Sequence, residues 1–149
     1  MSTIIEIPST LSKNKRGKQF KEDLASIIAD LGFSVELEKP YVIIGNTRPI
    51  KLDIVVNSIL SIETKLYMDT NMAYKYVAPM GDIQTDNEVS PQHWAAICVQ
   101  DANGFPWLQR HGVHCLAFEP RRRSREVIKS VHVNLTTLKE FINAAITVQ

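Results

Sequence analysis

A chain of 149 residues, 44% hydrophobic and 22% charged, has the size and make-up of one globular domain spanning residues 1–149 with a single core. Its net charge of +1 announces neither a polyanion binder nor an acidic tail. No apolar run approaches the roughly 20 residues of a membrane span, and MSTIIEIPSTLSKNKRGK lacks signal-peptide architecture, so the expectation is a cytoplasmic protein without a membrane partner.

Basic residues gather at Lys13, Lys15, Arg16 and Lys18, ahead of the first expected helix. In GKQFKEDLASIIADLGFSVELEK, Phe20, Leu24, Ile27, Ile28 and Leu31 recur at helical spacing, Gly32 marks a stop, and FSVELEK turns to strand-like alternation. PIKLDIVVNSILSIETKLY reads as two strands joined by a tight turn at Asn57-Ser58. Residues 68–88 form a mixed excursion, with a short helix expected around Asn71 to Val77 that breaks at Pro79-Met80-Gly81. His93 to Val99 reads as a buried strand, Asn103-Gly104 as a turn, Phe105 to Arg110 as a short helix and Val113 to Phe118 as another strand. A second basic cluster follows at Arg121, Arg122, Arg123 and Arg125. Val127 to Val133 adds a strand, and Thr136 or Thr137 caps a last helix whose Leu138, Phe141, Ile142, Ala145 and Ile146 form one stripe. Strands alternating with helices predict an α/β domain, a mixed β-sheet flanked by helices. Cys98 and Cys115 fall in apolar strand-like segments and read as buried thiols rather than a disulfide.

The hairpin carries the chemistry. Glu63 and Lys65 are two residues apart on one strand and point to one face, and the pairing strand can bring Asp53 onto it. Two carboxylates converging in a half-buried site repel each other and lose hydration, a cost that a divalent cation relieves. Mg²⁺, which prefers oxygen ligands, would suit Asp53 and Glu63 and could promote phosphodiester hydrolysis, with Lys65 holding water or offsetting developing charge.

At these residues the chain resembles the PD-(D/E)XK superfamily, which includes type II restriction endonucleases and archaeal-type Holliday-junction resolvases. Glu63-Thr64-Lys65 matches the (D/E)-X-K half and Asp53 the other acid, although Leu52 stands where the motif has Pro. The first helix is similar to that of the resolvases, following a basic residue and Gly at Arg16-Gly17 and ending in Gly32-Phe33. Their catalytic Glu on this helix corresponds to Lys21, so the neighbouring Glu22 or Asp23 is the candidate substitute. The resemblance implies a restriction-endonuclease-like core, a metal site at Asp53 and Glu63 taking Mg²⁺ with Mn²⁺ as a substitute, and cleavage of double-stranded or branched DNA. A sequence-specific restriction or homing enzyme is the favoured form; a junction resolvase and a non-catalytic DNA-binding protein on the same fold are the alternatives. The basic clusters would grip phosphates, and a homodimer or higher homo-oligomer would deliver paired cuts.

Other constellations are thinner. His111, His114 and Cys115 are zinc-ligand types without the spacing that completes a tetrahedral set. Tyr74, Trp94 and Trp107 could stack on bases or fill a core. There is no phosphate-binding G-x-x-x-x-G-K-[ST] sequence and no G-x-S-x-G elbow.

Overall fold

A computed structural model describes residues 1–41, 49–86, 91–120 and 127–147; for residues 78–79 and 81–86 only the backbone is described. The elements are β1 (Ser2–Glu6), α1 (Lys13–Asp30), β2 (Val35–Tyr41), β3 (Ile50–Val56), β4 (Leu60–Tyr67), α2 (Thr70–Asp86), β5 (His93–Gln100), α3 (Phe105–Arg110), β6 (Val113–Ala117), β7 (Ser130–Asn134) and α4 (Leu135–Thr147).

The main sheet has five strands in the order β2-β3-β4-β5-β6. β2, β3 and β4 are antiparallel neighbours, whereas β4, β5 and β6 run parallel, with α2 and α3 as the crossovers. This is an α/β fold with a mixed sheet flanked by helices. β1 and β7 pair separately in a two-stranded antiparallel sheet.

Each face of the main sheet buries its own cluster. On one side Phe20, Leu24 and Ile28 of α1 and Leu138, Ile142 and Ala145 of α4 pack with Ile54, Leu60, Ile62 and Ile97. On the other, Ala73, Tyr76 and Met80 of α2 and Phe105 and Leu108 of α3 pack with Val55, Trp94, Ala96 and Cys98. The continuous apolar run of β5 follows from this sandwiching, since a central strand in such a sheet is covered on both faces. The β3–β4 connection is three residues, 57–59, with positive φ at Asn57 (51°) and Ser58 (62°), and the Ile59 amide donates to the Val56 carbonyl at 3.1 Å to close the turn.

Several boundaries differ from those the residues suggested. Helix α1 starts at Lys13, capped by the Ser12 hydroxyl, which accepts from the Lys15 amide at 3.4 Å, so the first basic run and Gly17 lie inside the helix rather than ahead of it. Helix α2 continues through Pro79 and Gly81 to Asp86 instead of breaking there, because burial of Ala73, Tyr76 and Met80 outweighs local propensity. The cap of α4 is Asn134, whose Oδ1 accepts from the Thr137 amide at 3.0 Å, and neither Thr136 nor Thr137 serves. Strand β1 is not among the strands the local pattern predicts; it forms by pairing with β7, near the far end of the chain.

Candidate active site

Asp53, Glu63 and Lys65 come from the β3–β4 hairpin, at a point where the sheet loses its regularity. The β3–β4 ladder runs from Val56↔Leu60 to Ile54↔Ile62; one step further on, Asp53 faces Glu63, and no pair is formed. Across β2 and β3 the pairs Leu37↔Ile54 and Lys39↔Leu52 likewise leave out Glu38 and Asp53, which face each other between them. Glu38 sits at φ 51°, in the left-handed region. Alternation also breaks here, since Leu52 belongs to one core cluster and Ile54 to the opposite one, although residues two apart in a regular strand share a face. Glu38, Asp53 and Glu63 therefore form a row of acids across three strands, where the ladder is interrupted.

The freed backbone is satisfied by a side chain. Oδ2 of Asp53 accepts from the Thr64 amide at 3.0 Å and from the Thr64 hydroxyl at 3.1 Å. The Asp53 and Glu63 carboxyl groups act directly on each other, near enough for one cation to serve both. Burial, then the neighbouring Asp53 carboxyl and its charge, hold the Glu63 carboxyl well above its ordinary range, against the opposing pull of Lys65 and Lys21. Behind Glu63 lies the buried Tyr76, whose hydroxyl donates to the Ala95 carbonyl at 3.4 Å. Burial, then the charge of Glu63, pushes the Tyr76 phenol well above its usual value.

Asp53, Thr64 and Lys65 open on a cleft of about 780 Å³. Lys13, Arg16, Lys18 and Lys21 of α1 line its opposite wall, and Asp69 and Asp101 also border it. Lys21 spans the cleft edge to Glu38, with Nζ 2.8 Å from Oε1, and holds the Glu38 carboxyl below its ordinary range.

Most of the residues singled out from the sequence are thus accounted for. Asp53, Glu63 and Lys65 meet at one site. Glu22 is exposed and paired with Lys18 at 3.8 Å, and Asp23 accepts from the Gln19 side chain at 2.8 Å; neither lines the cleft. Lys21, which stands where a resolvase would have its helical Glu, is the α1 residue whose charge reaches Glu63. Arg16 lines the cleft and donates from Nη2 to the Ile128 carbonyl, whereas Lys15 is exposed outside it. Arg121, Arg122, Arg123 and Arg125 lie outside the described residues. Trp94 is core, while Trp107 packs edge-on against the exposed Tyr74 with centroids 4.2 Å apart. His111 donates from Nδ1 to the Trp107 carbonyl at 2.9 Å. Glu38 and Tyr76 were not foreseen; strand alternation gave no sign of Glu38, because its left-handed backbone departs from that alternation.

Among the described residues no group of three or more His, Cys, Asp or Glu side chains could hold a metal ion. The Asp53–Glu63 pair still suits Mg²⁺, an ion held by one or two carboxylates that takes its remaining oxygens from water and substrate phosphate.

No family model matches the chain, and neither does any curated protein. Among solved structures, the crystal structure of a protein of unknown function, AF1548, is similar at a TM-score of 0.52 and 13% identity, over 85% of this chain and 77% of that one. That similarity concerns the fold. No helix among the described residues is long and apolar enough to cross a membrane.

Proposed function

We propose that this chain is a Mg²⁺-dependent DNA endonuclease of the PD-(D/E)XK type, with Mn²⁺ as an alternative ion and a sequence-specific target. The observation that carries this reading is that Asp53 and Lys65 line a cleft whose other wall is cationic, with the Glu63 carboxyl acting on Asp53 from behind them. Asp53 and Glu63 would hold the ion, which supplies Lewis-acid activation of a phosphodiester. Thr64 fixes Asp53 through two hydrogen bonds, so that carboxylate is positioned in advance. Lys65 contributes a compact positive charge beside the scissile phosphate, and Lys21 a second one from α1. One such site cuts one strand, so a homodimer is the simplest assembly for a double-strand break.

Nicking of supercoiled plasmid tests the reading directly. Mg²⁺ should support nicking and EDTA abolish it, Ca²⁺ should permit binding without turnover, and Asp53→Asn should lower the rate by more than about 100-fold while binding persists. Full activity of the Asp53→Asn protein would sink the assignment. Cleavage confined to four-way junctions would favour a resolvase, and binding with no cleavage in any metal would favour a non-catalytic DNA-binding protein on this fold.

A further inference from the structure

Helix α1 carries a glycine that its own packing does not require. Gly17 is the fifth residue of an 18-residue helix, well inside the capped end. Its φ is not positive, and a Cβ built there meets no described atom within 4 Å. Gly104 is the contrast: a Cβ there would come within 2.5 Å of the Asp69 carbonyl, so close packing explains that glycine. Glycine is the poorest interior helix residue after proline, which makes Gly17 a weakness in α1 without a return among the described residues. Gly17 also lines the cleft, next to Asn14, Lys18 and Lys21 and across from Asp53 and Lys65. Glycine at such a place commonly marks close approach of another backbone or ligand.

We propose that the bare surface at Gly17 is the point where the DNA phosphodiester backbone lies directly on α1. The missing Cβ lets a phosphate settle against the helix between Asn14, Lys18 and Lys21, and so sets the depth at which the strand passes Asp53 and Lys65. Contacts to the sugar-phosphate backbone fix register and orientation without reading sequence, so this subsite governs placement rather than target choice. The inference rests on the nuclease reading of the cleft and adds a steric determinant to it.

The test compares Gly17→Ala and Gly17→Leu with the native chain, and with Ala29→Leu at an exposed position of the same helix. Binding of a fluorescent DNA duplex is measured in EDTA, apart from any cleavage. Gly17→Ala should melt higher, by roughly 2–4 °C, through better helix propensity. It should nonetheless bind roughly tenfold more weakly. Gly17→Leu should bind more weakly still, and Ala29→Leu should bind as the native chain does. Native affinity in both Gly17 variants would overturn the proposal. So would a lower melting temperature in Gly17→Ala, which would mean that the chain itself fills that space. A native chain that binds the duplex but never nicks plasmid with Mg²⁺ sinks the nuclease reading alone, and weakened Gly17 variants then still support a backbone subsite. Native-rate nicking by Gly17→Leu sinks this proposal and leaves the nuclease reading standing. Failure of the native chain to bind any duplex sinks both.

Discussion

Strand β4 meets its two neighbours in different ways. Toward β5 it is paired without a gap from Leu60↔His93 to Lys65↔Cys98, and the partners Ala95, Ala96, Ile97 and Cys98 are fully buried. Toward β3 the ladder covers only Leu60, Ile62 and the residue between them before it stops at the Asp53–Glu63 step. The regular side is apolar, and the interrupted side holds Asp53, Glu63 and Thr64. Backbone groups released by an interrupted ladder need partners, and a carboxylate supplies them, as Asp53 does for the Thr64 amide. One edge of β4 thus anchors the strand while the other is left open to chemistry.

The largest expected effect follows from breaking the anchored side. Ile97→Ala removes a fully buried side chain from the core shared by α1 and α4, and should cost about 2–5 kcal/mol, measured by urea unfolding. Asp53→Asn, on the open side, keeps an oxygen that can still accept from Thr64, and should shift the unfolding midpoint far less. A stability loss from Asp53→Asn as large as that from Ile97→Ala would mean that the interrupted row holds the sheet together and that the contrast is wrong.

Reactivity of the thiols gives the next effect. Cys98 and Cys115 stand on β5 and β6, on the regular side, and burial pushes both thiols up to about 12, with the Cys115 and Asp101 charges adding to the effect at Cys98. Thiolate is the reactive form and becomes abundant only as pH rises toward those values, so iodoacetamide at about pH 8 should label the native chain roughly a thousandfold more slowly than the unfolded chain. Fast native labelling at both positions, followed by mass spectrometry, would show that the β5–β6 half opens as readily as the site.

Glu63 offers a subtler contrast. Its folded carboxyl holds a proton more tightly than the unfolded one, so unfolding releases a proton, and stability falls as pH rises from the ordinary glutamate value of 4.5 through the elevated folded value. Below 4.5 the group is protonated in both states and costs nothing. Melting curves between about pH 5 and about pH 8 should therefore slope downward for the native chain and be flatter for Glu63→Gln. If the proposed Mg²⁺ site exists, the ion at the upper end should restore the native chain and leave the variant unmoved, because it would replace the proton between Asp53 and Glu63. Parallel pH slopes in the two proteins would contradict the strained-pair account.

How far the residues alone foretold this arrangement depends on whether a pattern is local. Helical spacing of Phe20, Leu24 and Ile28, the Asn57-Ser58 turn and the apolar run of β5 are short-range signals, and each became an element close to its expected place. That Asp53 and Glu63 lie near each other was also legible, because a tight hairpin returns the second strand beside the first, but their direct opposition depends on a third loop residue, Ile59, which the Asn57-Ser58 signal did not show. What alternation could not show was its own failure, the switch of face between Leu52 and Ile54 and the left-handed Glu38, which arise from the meeting of three strands. The pairing of β1 with β7 was hidden for the same reason, since its partners lie at opposite ends of the chain. Gly17 misled as punctuation: one glycine weakens a helix without ending it, and Ser12 moved the start forward to Lys13.

The smallest effect concerns the ion pair that borders the open row. Glu38 is half exposed on its side chain, so water and salt screen its contact with Lys21, and Glu38→Gln should leave the melting temperature close to native at physiological ionic strength. Lys21 is different, because its side chain is only 13% exposed and its charge opposes the elevation of Glu63. Lys21→Gln should therefore strengthen proton binding at Glu63 and carry the downward stability slope to higher pH than in the native chain. Glu38→Gln should move it slightly the other way, by leaving the Lys21 charge uncompensated. Identical pH profiles in the two variants would show that Lys21 serves only its surface partner, and that the cationic wall of α1 ends short of the carboxyl pair.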